Sequence, residues 1–98
     1  MLPIAISGLR RRAATTDVAS SGNESVAASS PPASYEDVIS VGSHNESQDI
    51  SSFSNGTVDI VAPGERVAAI DPSNTLWSVY GTSYSTPQVA GLIALQLQ

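Results

Sequence analysis

The sequence predicts an α/β fold in which short β-prone runs lead through a β-hairpin into one apolar helix. Hydrophobic residues make up 41% of the 98 residues and charged residues only 13%, which is typical of a globular chain rather than a disordered one. Several short β-branched runs end at glycine or proline, as strands do. Residues 89–95 are apolar without interruption, as in a helix that is buried on most sides.

Three β-prone runs in the first two thirds of the chain are candidate strands. They contain Val, Ile or Thr, which favour pleated backbone, and the later two stop at glycine or at Pro-Gly. Between the first two runs, Pro31-Pro32 excludes a helix, so that stretch is predicted to be a loop. The runs span residues 13–21, 37–42 and 58–62.

A β-hairpin and a helix are predicted for the rest of the chain. Residues 66–70 and 76–80 are two β-prone segments whose connection contains Pro and Asn, which suit a tight turn. The helix is expected to begin within a residue or two of Ser83, because Pro87 is tolerated only near a helix start. Gly91 is expected to let another element approach the helix closely.

The predicted elements do not complete a domain. A helix that is apolar on every face needs neighbours on every face, and a hairpin with a few short strands covers only part of it. Parallel strands also need crossovers of about a dozen residues or more, usually helical, and no helical pattern lies between the candidate strands. The chain is therefore interpreted as part of a larger domain.

Composition argues against several classes of function. The net charge is −5, and three of the four arginines are consecutive at residues 10–12, so no nucleic-acid partner is predicted. The longest apolar runs are far shorter than the about 20 residues that span a bilayer, so no membrane partner is predicted. The apolar run after Met1 precedes the arginines, opposite to a secretory signal, and localisation stays open. Asp49, Asp59 and Glu65 are too scattered for a metal site, and neither metal nor cofactor is predicted.

The candidate catalytic residues lie where the hairpin meets the helix, in the string GTSYSTPQVAG at residues 81–91. A hydroxyl at a helix N-terminus is exposed at the end of a rigid element, and the free backbone N–H groups there point at any anion that forms beside it. A Ser or Thr in that place more often simply caps the helix. The residues by themselves leave both interpretations open.

The string resembles the nucleophile motif of the subtilisin-like serine proteases, GTS followed by three residues and P-x-VAG. Three further segments match the family in the same order: SGNE at residues 21–24, SPPASYEDVISV at 30–41 and SFSNGTVDIVAPG at 52–64. The resemblance implies an incomplete subtilisin-like fold, the C-terminal portion of a parallel-sheet α/β domain. It also implies a cis bond between Pro31 and Pro32.

The resemblance divides the chain into two parts. Residues 1–17 show no match to the family and are interpreted as a divergent leader, and residues 18–98 are interpreted as a partial peptidase domain. The expected partners are a peptide or protein substrate and the missing N-terminal part of the peptidase domain.

The resemblance also implies roles for five residues. Ser83 would be the nucleophile, and the side chain of Asn23 would donate to the oxyanion of the tetrahedral intermediate. Ser20, Ser21 and Gly22 would form part of the wall beside the primary side chain of the substrate, where small residues leave room for a large group.

The family's catalytic Asp and His motifs are missing from the sequence, since it contains neither D-S/T-G nor H-G-T. The single histidine, His44, lies in a polar stretch after the second candidate strand and is predicted to be solvated. Without a base, the Ser83 hydroxyl is a weak nucleophile. One hypothesis is the C-terminal segment of a serine endopeptidase, inactive by itself. The other is a non-catalytic truncated remnant or interaction module.

Overall fold

The computed structural model describes residues 17–96. Almost all of the predicted leader, residues 1–16 with its arginine cluster, lies outside the described residues. The described part contains five strands and one helix: β1 Asp17–Ser20, β2 Val38–His44, β3 Ile60–Pro63, β4 Val67–Ile70, β5 Leu76–Val79 and α1 Thr82–Gln96.

A parallel three-stranded sheet forms the centre of the fold, with β2 between β1 and β3. The middle five residues of β2 are buried because this strand has a neighbour on each edge and α1 packs against all three strands. The parallel-sheet α/β prediction is therefore confirmed. The buried apolar cluster combines strand and helix residues: Ile39, Val41, Ala62, Val89 and Ile93.

β1, β4 and β5 each differ by one residue from a predicted bound in the described part of the chain, and β2 and β3 differ by two residues at one end. β2 continues through Gly42 to His44, because Ser43 and His44 pair with the end of β3. β3 begins only at Ile60 and includes Pro63, whose missing N–H is tolerated at the strand end. His44 is consequently the last residue of a strand rather than part of the following polar stretch. Pairing between distant segments decided these bounds.

The predicted hairpin is present as the antiparallel pair of β4 and β5. Its turn is organised by Asp71, whose Oδ1 accepts hydrogen bonds from the backbone N–H groups of Ser73 and Thr75, both at 2.9 Å. Its Oδ2 accepts a hydrogen bond from Trp77 Nε1 at 2.8 Å. The Ser73 hydroxyl, which donates to Asp71 Oδ1 at 2.6 Å, and then Trp77 lower the pKa of Asp71 to about 2.

The helix α1 begins at Thr82, so Ser83 is its second residue, as predicted. The expectation of burial on most sides is not met, because only one face of the helix is buried in the described residues. Leu92 and Leu95 are 36% and 65% exposed. A Cβ on Gly91 would meet nothing within 4 Å, so no described element makes the predicted close approach.

The helix in residues 17–96 falls short of the length and apolarity that crossing a membrane requires.

Candidate active site

The candidate site lies where the carboxyl end of β1 meets the N-terminus of α1. Asn23 follows β1 closely, and its Oδ1 accepts hydrogen bonds from the backbone N–H and the hydroxyl of Thr82, both at 2.9 Å. The Thr82 hydroxyl in turn accepts a hydrogen bond from the Gly22 N–H at 3.3 Å. Packing of the helix on the sheet thereby joins two motifs that are 59 positions apart in the chain.

The orientation of the Asn23 amide follows from these bonds. Both Thr82 groups act as donors towards Asn23, so the atom that meets them must be the oxygen, and Nδ2 is left as a donor on the exposed side. Within residues 17–96, neither Asn23 Nδ2 nor the Ser83 N–H has a hydrogen-bond acceptor. Two donors are thus available beside the start of the helix.

Ser83 itself is exposed at the helix N-terminus. The first turn of α1 contains no acidic residue, so the positive end of the helix dipole is not neutralised from within the helix. This environment favours a negative charge next to the Ser83 hydroxyl.

A cavity of about 560 Å³ lies beside Ser83. Ser20 and Gly22 line it together with Ser83, and so do Pro31 and Pro32, whose bond is cis as predicted. Three of the predicted site residues therefore share one cavity.

Ser21 has a different orientation from its neighbours. It is fully buried, and its hydroxyl donates to the Asn55 carbonyl at 3.2 Å. Its side chain thus lies behind the cavity wall rather than in it. The physical reason is that successive side chains of an extended segment point in opposite directions, and the interior face belongs to Ser21.

Glu24 adds a negative charge to the same cavity. A hydrogen bond from Asn55 Nδ2 at 2.8 Å, with a weaker one from the Ser30 hydroxyl, lowers the pKa of the Glu24 carboxyl. Glu24 was not singled out by the sequence, although it is the last residue of the SGNE segment.

A larger cavity of about 660 Å³ is lined by His44 and Tyr84 but not by Ser83. The ring nitrogen Nδ1 of His44 lies 2.7 Å from the carbonyl of its neighbour Asn45. His44 therefore faces a different cavity from the one that Ser83 lines. Among residues 17–96, no three His, Asp or Glu side chains converge as a metal site would require.

Comparison with known proteins decides the family. The model of the subtilase family, Peptidase S8, matches residues 5–98. The chain belongs to the subtilase family. The match to subtilases begins upstream of the boundary predicted at residue 17, and that division of the chain stays a prediction.

Individual subtilases resemble this chain over most of its length. The thermophilic serine proteinase of Bacillus sp. (strain AK1) is 45% identical over 80 residues, covering 80% of this chain and 20% of that protein. The major intracellular serine protease of Bacillus subtilis (strain 168) is 40% identical over 76 residues, covering 76% of this chain and 24% of the relative. This subtilase chain therefore spans about a fifth to a quarter of the length of these relatives.

A solved structure shows the same arrangement of elements. The self-cleaved protease domain of PatA superimposes with a TM-score of 0.77 at 31% sequence identity, covering 91% of this chain and 36% of that domain. The fold of this subtilase chain is therefore a partial subtilisin-like fold.

Proposed function

We propose that this chain supplies the nucleophile and the oxyanion donors of a subtilisin-like serine endopeptidase. The observation that carries the proposal is the pair of hydrogen bonds from Thr82 to Asn23, which hold the Asn23 amide beside Ser83. Among residues 17–96, Asn23 Nδ2 has no hydrogen-bond acceptor. The second donor is the Ser83 N–H at the start of α1.

The proposed chemistry is acyl transfer in two steps. Ser83 Oγ attacks the scissile carbonyl carbon, its proton passes to a base, and the carbonyl oxygen becomes an anion between Asn23 Nδ2 and the Ser83 N–H. Collapse of this intermediate, with the proton passing from the base to the leaving nitrogen, expels the amine and leaves an acyl-Ser83 ester, which water then hydrolyses. The substrate class is a peptide or protein, with its side chain in the cavity lined by Ser20 and Gly22.

The base and its orienting carboxylate are proposed to come from the N-terminal part of a peptidase domain. Two observations support this division. His44 faces a different cavity from Ser83. Leu92 and Leu95 leave apolar helix surface exposed, of the kind that a packed neighbour covers.

The proposal is tested by complementation. The chain is co-expressed with the segment of the Bacillus sp. relative that precedes its region of similarity, and a chromogenic peptide is the substrate. Hydrolysis is expected only with both parts present. Ser83→Ala abolishes it, and the matched change at an exposed turn serine, Ser47→Ala, leaves it unchanged. Asn23→Leu lowers kcat by about 100- to 1000-fold with little effect on KM, because the oxyanion is absent from the ground state.

A co-purified pair that binds the peptide without hydrolysing it would reject the enzyme in favour of a non-catalytic remnant or interaction module. Activity that survives Ser83→Ala would reject Ser83 as the nucleophile.

A further inference from the structure

We propose that Asn55 is a positioning residue that holds the loop carrying Asn23. Residues 21–26 are here named the oxyanion loop, and the proposal rests on the function proposed above for Asn23. Asn55 is 1% exposed and comes from the turn before β3, a different part of the chain. In the sequence it lies within the matching segment SFSNGTVDIVAPG at residues 52–64, for which no residue role was predicted.

The amide of Asn55 binds the oxyanion loop on both sides of Asn23. Its Oδ1 accepts hydrogen bonds from the backbone N–H groups of Glu24 at 2.9 Å and Val26 at 3.3 Å. Its Nδ2 donates to the Ser21 carbonyl at 3.0 Å and to Glu24 Oε1 at 2.8 Å. Asn23 thus lies between two segments that one buried side chain fixes.

The backbone of Asn55 adds to this attachment. Its N–H donates to the Gly22 carbonyl at 3.0 Å, and its carbonyl accepts from the Ser21 hydroxyl at 3.2 Å. A Cβ added at Gly22 would collide with Asn55 Nδ2 and with Glu24 Oε1. The loop and the amide therefore fit together closely, and a displaced amide displaces the loop.

An amide side chain meets these requirements because its oxygen accepts and its nitrogen donates two hydrogen bonds. An aspartate at position 55 would keep the acceptor for Glu24 and Val26 but would present a second oxygen to the Ser21 carbonyl and to Glu24 Oε1. The lost donor and the repulsion would loosen the loop. Since misplacement of a catalytic group by about 1 Å can cost about 100-fold in rate, the loosened Asn23 amide would hold the oxyanion less well.

Asn45 provides a matched control for the substitution Asn55→Asp. Its Oδ1 likewise accepts two backbone hydrogen bonds, from Ser47 at 2.9 Å and Asp49 at 3.0 Å. Asn45→Asp keeps the oxygen that accepts both hydrogen bonds and adds the same charge away from the oxyanion loop. A difference between the two variants therefore reports the lost donors of Asn55 together with the burial of the new charge beside the oxyanion loop.

The first measurement is hydrogen exchange by mass spectrometry on the full chain. In the wild type, the oxyanion loop is expected to exchange slowly. Asn55→Asp speeds exchange in that loop by about 10- to 100-fold while β2 keeps its protection, and Asn45→Asp leaves the loop unchanged. Equal loop exchange in the two variants, or a wild-type loop without protection, would overturn the proposal.

A milder variant is used if Asn55→Asp also speeds hydrogen exchange in β2. Ser30→Ala removes one acceptor of Asn55 Nδ2, at 3.2 Å, and leaves the buried amide in place. Loop exchange is then expected to rise by about 2- to 10-fold with β2 unchanged. No rise would refute the attachment.

The second measurement is kinetic and uses the complemented enzyme. Asn55→Asp is expected to lower kcat by about 10- to 100-fold with KM nearly constant, because Asn23 acts on the transition state. A rise in KM with unchanged kcat would contradict a positioning role. If the complemented wild type is inactive, the proposed function fails alone, and the exchange experiment still decides whether Asn55 holds the loop.

Discussion

Thr82 and Asn23 are joined by two hydrogen bonds to a single atom. The backbone N–H and the hydroxyl of Thr82 both donate to Asn23 Oδ1 at 2.9 Å, and Thr82 is fully buried. The helix that presents Ser83 therefore also orients the amide next to it. The proposed nucleophile and the proposed oxyanion donor are thus both in contact with, or adjacent to, one residue of the family motif.

Thr82→Val is expected to weaken this connection without changing side-chain volume much. The backbone bond to Asn23 remains, but the Gly22 N–H loses its acceptor, which costs about 1–3 kcal/mol in the free energy of unfolding. In the complemented enzyme, kcat should fall by about 10-fold. Thr75→Val, at an exposed threonine of the hairpin turn, is the control and should change neither value. Full kcat in Thr82→Val would show that the hydroxyl does not orient Asn23.

Substitution by alanine is expected to change the free energy of unfolding in opposite directions at Gly22 and Gly91. Gly22 has a φ of +110°, and a Cβ there would collide with Asn55 and Glu24, so Gly22→Ala should cost at least about 2 kcal/mol. Gly91 lies in α1, and a Cβ there would meet no atom of residues 17–96 within 4 Å, so Gly91→Ala should stabilise the chain by about 0.5–1 kcal/mol. Urea unfolding of both variants measures the difference. Loss of stability in Gly91→Ala would show that another part of the chain packs against it.

The hairpin turn is expected to titrate at unusually low pH. Because the folded pKa of Asp71 is depressed to about 2, its contribution to stability is present above the ordinary pKa of 3.8 and is lost as pH falls towards 2. Trp77, the single tryptophan, donates to this carboxylate, so its fluorescence should change with a midpoint near pH 2. Asp71→Asn should abolish the transition, and Asp49→Asn should not. A midpoint near 3.8 would mean that the turn does not stabilise the ionised carboxylate.

The free chain is expected to lack peptidase activity and to associate through the exposed face of α1. Leu95 is 65% exposed, and Leu95→Glu places a charge on that face, so it should shift the chain towards monomer in size-exclusion chromatography. Tyr35 is 60% exposed elsewhere, and Tyr35→Glu should leave the association state unchanged. A monomeric wild type that hydrolyses a peptide through Ser83 would show that this chain contains its own base.

The site could be predicted in part because its residues belong to compact motifs. Gly81, Ser83 and Pro87 lie within one short string, and local chemistry places the helix start there. Asn55 and Glu24 could not be found this way. Their role depends on a contact between residues 31 positions apart, and an Asn-Gly pair by itself indicates only a turn.

The sequence by itself determined the hairpin and the start of α1, because β-branched runs, Pro and Gly act on the backbone of their own neighbourhood. It indicated the family through the resemblance of four motifs in the same order. Tertiary structure decided what each side chain faces. Ser21 points inwards, whereas Ser20 lines the cavity. β2 extends to His44 because it pairs with β3, and α1 has an exposed face among the described residues. These outcomes depend on strand register and on which surfaces meet, and a one-residue shift in register would exchange the two faces of a strand.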